Sequence, residues 1–237
     1  MTLDDFEKTI KKDKAIVVVK TDKDKILCRP KTGGMYKRII KIPKVIDPDT
    51  AFIAGFLIGD GYLPKEGFRI AVDIVSKNLL EILSSKFKKV FDLDLRLKRI
   101  IDRRPGRQPR WKIDFMSKPI WLLFTLVFDI PFGRKCERVI VPPIITDFEC
   151  KKMFLSGLFL ADGGRKGKRL SFTTISEKLF IGLQGLLKEF EVGFFTRTWI
   201  YPKYKRRVFD IVICKKSDIN KFRDTFPLIE EKLAGVA

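Results

Sequence analysis

One unit occurs twice in this chain, and that repetition limits the folds open to it more than any other feature. Residues 52–63 read FIAGFLIGDGYL and residues 154–165 read FLSGLFLADGGR, so that a Phe, a small residue, a Gly and an Asp-Gly recur in step. The likeness continues downstream, where FRIAVDIVSKNLLEIL (68–83) and KRLSFTTISEKLFIGL (168–183) align without a gap. Ile70, Val72 and Ile74 face Leu170, Phe172 and Thr174 in that alignment.

Both downstream segments alternate apolar and polar, the period of a half-buried strand, then change to helical spacing at Ser76 and Ser176, which are suited to cap those helices. Each unit continues with a basic strand pair. The first runs Leu95 to Asp102, a turn around RRPGRQPR, then Trp111 to Phe115; the second runs Phe194 to Tyr201, a turn around PKYKRR, then Val208 to Ile213. With a weakly marked early strand at Tyr62 and after Gly164, each repeat reads helix, strand, strand, helix, strand, strand, helix. The expected class is therefore α+β: two αββαββα repeats, at 47–140 and 141–237. Residues 1–46 have no counterpart and form an N-terminal extension, with a hairpin expected from Ile16–Lys20 and Ile26–Arg29 ahead of the basic segment TGGMYKRIIKIPK.

In the first helix of each repeat, Gly55 and Gly59 lie four apart on one face, as do Gly157 and Ala161. A helical glycine costs roughly 1 kcal/mol against alanine, which close backbone contact between the two helices would offset. Gly61 and Gly163 also fit a left-handed cap. If the helices pack through their small residues, Asp60 and Asp162 emerge together at one end. Two carboxylates at helix C-termini repel each other and oppose the dipoles, an arrangement that a bound cation relieves.

Composition narrows the chemistry. Lys and Arg number 49 against 29 Asp and Glu, a net charge of +20 that points to a polyanionic partner. The chain has no histidine, which excludes Ser-His-Asp and Cys-His catalysis and His-ligated metals. Cys28, Cys136, Cys150 and Cys214 form no CxxC pair, so neither a zinc knuckle nor a disulfide framework is expected. The longest largely apolar stretch, 120–128, falls well short of the roughly 18 residues that cross a bilayer. The opening MTLDDFEKTIKKDK lacks the apolar centre of a secretory signal, so the expected location is cytoplasmic, with a prokaryotic nucleoid or an organelle as the setting.

IAGFLIGDG (53–61) and LSGLFLADG (155–163) resemble two copies of the LAGLIDADG signature, and the chain from about 42 to 226 is similar to the monomeric, two-motif homing endonucleases. The resemblance implies a pseudo-twofold fold in which paired motif helices form the interface and two saddle-shaped antiparallel sheets straddle the DNA major groove. It implies a monomer, double-stranded DNA as partner, and Mg²⁺ or another divalent cation such as Mn²⁺. Asp60 and Asp162 would be the metal ligands and catalytic carboxylates, with the preceding Gly59 and Ala161 in the same set. Lys118 and Lys216 occupy the place of a basic catalytic residue after the last strand of each repeat, although alignment through Asp114 and Asp210 would set Cys214 opposite Lys118.

Strand residues facing away from the core are candidate base readers: Arg69, Asp73, Arg96, Lys98, Arg110 and Lys112 in the first repeat, and Arg169, Ser171, Thr173, Arg197, Trp199 and Tyr201 in the second. Arg103, Arg104, Arg107, Lys203, Lys205 and Arg206 in the turns suit phosphate contacts. The halves differ at nearly every reading position, so a long asymmetric target and double-strand cleavage in intron homing are expected. The family also includes intron RNA maturases and DNA-binding regulators that do not cut. An intein is disfavoured by the absence of histidine and by the GVA ending.

Overall fold

The computed structural model describes residues 1–31, 38–101, 106 and 108–234. The N-terminal extension is a small module of its own. Helix α1 (Leu3–Lys12) is capped by Thr2, whose hydroxyl accepts from the Asp5 amide at 3.1 Å, and it buries Phe6 and Ile10. The expected hairpin is present as β1 (Ile16–Thr21) and β2 (Lys25–Pro30), and β3 (Ile40–Pro43) adds a third antiparallel strand. The sequence reading saw neither α1 nor β3, because each buries only a few residues.

The first repeat comprises α2 (Pro48–Asp60), β4 (Gly61–Tyr62), β5 (Arg69–Ile74), α3 (Lys77–Phe91), β6 (Lys98–Ile100), β7 (Arg110–Met116) and α4 (Lys118–Leu122), which runs on into a π-helical turn over Leu123–Val127. The second comprises α5 (Phe148–Asp162), β8 (Gly164–Lys166), β9 (Arg169–Thr174), α6 (Glu177–Glu189), β10 (Phe195–Tyr201), β11 (Arg206–Ile213), α7 (Lys216–Thr225) and a short α8 (Glu230–Leu233). The sheets have the same order, β4-β5-β7-β6 and β8-β9-β11-β10, with all neighbours antiparallel. This is the α+β repeat architecture expected from the sequence. β6 is shorter than expected, and Asp102, Arg103, Arg104 and Arg107 lie outside the described residues.

Local chemistry explains the helix starts. Asp47 accepts from the Thr50 amide at 2.7 Å and Asp147 from the Cys150 amide at 3.0 Å, fixing the first turns of α2 and α5. Ser76 and Ser176 cap α3 and α6 through the Leu79 and Leu179 amides, as their spacing predicts. Helix α2, and α5 from Phe154 to Leu160, are apolar nearly all round, the pattern of a helix covered on every side. Both lie at the centre of the core, with Phe52, Phe56, Phe154 and Phe159 fully buried. Among the described residues, no helix is long and apolar enough to cross a membrane.

Candidate active site and nucleic-acid face

Helices α2 and α5 pack directly on each other through their small residues. A Cβ at Gly55 would collide with the carbonyl oxygen of Phe154, and one at Gly157 with that of Phe52. One turn on, a Cβ at Gly59 would lie 2.5 Å from the Ala161 Cβ. The reciprocity of these contacts is a local twofold, and it carries Asp60 and Asp162 to the same end of the pair. Gly61 and Gly163 are not left-handed caps. Their φ values are −70° and −64°, and glycine is required because a side chain would strike Leu57 or Phe159 in the preceding turn.

The two carboxylates are electrostatically coupled. Burial and then the charge of Asp162 push the Asp60 carboxyl up to about 6, with Asp73 adding to the effect. Burial also raises Asp162, whose side chain opens to solvent on one side while protein fills most of the volume around it. Lys135 and Lys232 oppose both shifts.

Those two lysines are the residues that sequence reasoning missed. The Lys135 ammonium donates to the carbonyls of Leu57, Ile58 (2.7 Å) and Gly59 (3.0 Å), closing the C-terminus of α2. Lys232 donates to Phe159 (3.2 Å) and Ala161 (2.9 Å), closing that of α5. Each thus supplies the cation that a helix C-terminus favours. Burial lowers Lys135 to about 8, and it lowers Lys232 as well. No motif marks them, since Lys135 lies in the linker between repeats and Lys232 near the end of the chain. Only their shared lack of an acidic neighbour at helical spacing could have flagged them.

Lys118 lies against Asp13 of the N-terminal module, its ammonium 2.6 Å from one carboxylate oxygen, and Lys216 lines a separate basic cavity in the second repeat. The carbonyls of Gly59 and Ala161, grouped with the metal set by resemblance, are engaged by lysine ammonium groups.

The candidate base readers do share a face in each sheet. Asp73 pairs with Lys112 and Lys98 with Lys112, so Arg69, Asp73, Lys98, Arg110 and Lys112 project to one side of the first sheet. Arg96 lies before β6, in coil, and is exposed. In the second sheet, Thr173 and Arg197 both pair with Asp210, which places Arg169, Ser171, Thr173, Arg197, Trp199 and Tyr201 on one side. The two faces differ in chemistry. In the first, Arg69 makes a bidentate pair with Asp114, Lys112 approaches Asp114 at 2.9 Å, and Arg110 approaches Asp73 at 3.4 Å. The second exposes Trp199 (40%) and Tyr201 (46%), and Thr173 donates to Asp210 at 2.9 Å.

Among the described residues, no cluster of three or more His, Cys, Asp or Glu forms a complete metal cage. Mg²⁺ does not need one: it is commonly held by one or two carboxylates, with waters and substrate phosphates filling its other positions. Two repelling aspartates at the end of a helix pair fit that donor set.

Comparison with known proteins agrees with this fold. Residues 149–227 match the family model described as a LAGLIDADG-like domain. Mesophilic variants of the homing endonuclease I-DmoI superpose with a TM-score of 0.53 at 17% identity, covering 76% of this chain and 94% of that one. I-DmoI in complex with DNA and Mn gives 0.51 at 18% identity, covering 76% and 96%. The N-terminal LAGLIDADG domain of DUF199/WhiA gives 0.53 at 17% identity, covering 76% and 82%. In sequence, the chain is 25% identical over 182 residues to the replication factor C small subunit of Methanocaldococcus jannaschii, a match that takes in 75% of this chain and spans only 9% of that protein's length.

Proposed function

We propose that this chain, a two-repeat protein of the LAGLIDADG fold, is a site-specific DNA endonuclease that makes double-strand breaks by divalent-metal-dependent phosphodiester hydrolysis at a long asymmetric target. The observation that carries the reading is the convergence of Asp60 and Asp162 at the end of the α2–α5 pair, with Asp60 pushed up to about 6 and two half-buried lysines beside them. A surface that only binds DNA has no use for a pair of repelling carboxylates. I-DmoI, which shares the fold, is described as a homing endonuclease and has been seen with DNA and Mn.

A divalent cation, Mg²⁺ or Mn²⁺, held by Asp60 and Asp162 would supply Lewis-acid activation of water and neutralise charge on the leaving oxygen. The protein's own part is positional. The glycine-mediated contact brings the two carboxylates to one place, because Gly55 and Gly157 let the backbones of the two helices lie directly against each other. Lys135 and Lys232 lock the last turns from which the aspartates project, and both place positive charge beside the site where a phosphate would lie. Arg69, Lys98, Arg110 and Lys112 on one sheet, and Arg169, Arg197 and Trp199 on the other, would contact the two halves of the duplex. Their different chemistries favour an asymmetric target, and one chain holding both aspartates favours a monomer.

Selection of cleaved sites from a duplex library with Mg²⁺ tests the reading, comparing the native protein with Asp60→Asn and Asp162→Asn. Double-strand cleavage at a defined site that either substitution abolishes is expected. Salt-sensitive DNA binding without cleavage, indifferent to both substitutions, would replace this reading with that of a binding protein, and preferential binding of structured intron RNA would point to a maturase.

A further inference from the structure

Strand register assigns the positions of one sheet their counterparts in the other. Asp73 and Thr173 correspond in the ungapped alignment of 68–83 with 168–183. Asp73 pairs with Lys112, which pairs in turn with Lys98; Thr173 pairs with Asp210, which pairs in turn with Arg197. The counterpart of Asp210 is therefore Lys112 and not Asp114, which stands opposite Ala71. Lys112 and Asp210 each lie on an interior strand, β7 or β11, on the side that carries the candidate base readers. The two repeats thus put opposite charges at one equivalent place.

The acids of the two faces also differ in how they are engaged. In the first sheet Asp114 is held by Arg69 and Lys112, and Asp73 lies by Arg110. Asp210 has no cation partner among the described residues. Arg197 stands directly opposite it, where a cross-strand ion pair could form. The Arg197 guanidinium instead lies 4.8 Å from the centre of the Phe195 ring. The Thr173 hydroxyl donates to Asp210 Oδ1 at 2.9 Å, and Oδ2 accepts from nothing among the described residues.

A lone carboxylate in the middle of a face that carries Arg169 and Arg197 opposes a polyanion, whatever its sequence. A donor on the DNA offsets that cost, because an ionised carboxylate can only accept. In the major groove guanine presents two acceptors, thymine an acceptor and a methyl group, and adenine a donor beside an acceptor. Cytosine presents the N4 amino donor alone.

We propose that Asp210 is a specificity-determining residue, whose carboxylate accepts from the N4 amino group of one cytosine in the half-site facing the second sheet, with Thr173 fixing its orientation. The equivalent base pair facing the first sheet meets the Lys112 ammonium, a donor, so the two half-sites differ in base identity at this place. This rests on the site-specific DNA binding of the proposed function and not on cleavage.

The test is selection of bound, uncleaved sites from a randomised duplex library by the full chain in metal-free buffer, comparing the native protein with Asp210→Asn and Asp210→Lys. The asparagine keeps an oxygen for the Thr173 hydroxyl and loses the charge. The lysine copies into the second sheet what Lys112 presents in the first. Native sites are expected to hold cytosine at one base pair of one half-site. Asp210→Asn should lower that preference roughly tenfold, within the range that one base contact discriminates, while other positions keep theirs. Asp210→Lys should turn the same base pair to guanine, whose N7 and O6 accept. A gain in affinity spread evenly over all sequences, with the base profile unchanged in both variants, overturns the proposal, since Asp210 would then only repel the backbone. So does a loss of preference at many base pairs at once in Asp210→Asn, which marks a brace for the sheet and not a reader. A native chain that selects no sequence would instead overturn the site-specific reading itself.

Discussion

The Lys135 ammonium donates to the Gly59 carbonyl at 3.0 Å, one residue before Asp60. One group thereby ends the α2 helix and sets the potential at the carboxylate that follows. Lys232 stands in the same relation to Ala161 and Asp162, at 2.9 Å. Replacing either lysine by Met keeps the length of the side chain and removes its charge. We expect the single-turnover cleavage rate to fall by roughly 10²-fold or more, the scale of losing a preorganised charge at a reacting phosphate. Duplex affinity should change little. Since both lysines hold the aspartates down, Asp60 should titrate above 6 in either variant, measurable by carboxyl NMR.

The carboxylate pair makes metal binding depend on pH. An ordinary aspartate titrates near 3.8, whereas Asp60 in the fold is raised to about 6. Between those values the folded protein retains a proton that the unfolded chain has lost, so without metal its stability falls as pH rises through this window. The cost of the charged pair is complete above about 6. A divalent cation binds the charged form and offsets that cost. The increase in Tm produced by Mg²⁺ should therefore be full at pH 7.5 and nearly absent at pH 5, as differential scanning fluorimetry would show.

The glycine contact tolerates almost nothing larger. Gly157→Val places carbon atoms on the Phe52 carbonyl and should cost roughly 3 kcal/mol or more, because backbone has to move on both helices. Gly185, with open space around its Cβ position on α6, provides the contrast: Gly185→Ala should be neutral or stabilising by up to about 1 kcal/mol. Urea denaturation separates the two.

The paired serine caps differ in what else they do. Among the described residues Ser76 accepts from the Leu79 amide, while the fully buried Ser176 accepts from Leu179 and also donates to the Val139 carbonyl at 2.6 Å. Ser76→Ala should cost about 1 kcal/mol. Ser176→Ala should cost about 2 kcal/mol, because it also leaves a buried carbonyl without its donor.

The repeat, the alternation of strands β5 and β9, the serine caps and the Gly-Asp spacing of the motif helices were all legible in the amino-acid sequence. Each is a local pattern whose period reports which side of an element is covered. The side of the sheet taken by Arg69, Lys112, Thr173 and Arg197 followed from the same alternation. Tertiary structure alone decided which charges meet. Lys135 and Lys232 come beside the aspartate pair from a linker and from α8. Lys118, by contrast, is drawn to Asp13 across more than a hundred intervening residues. Spacing along a chain fixes periodicity, but Coulomb interaction acts on distance through space, and the packed core of α2 and α5 decides which distant charges lie close together.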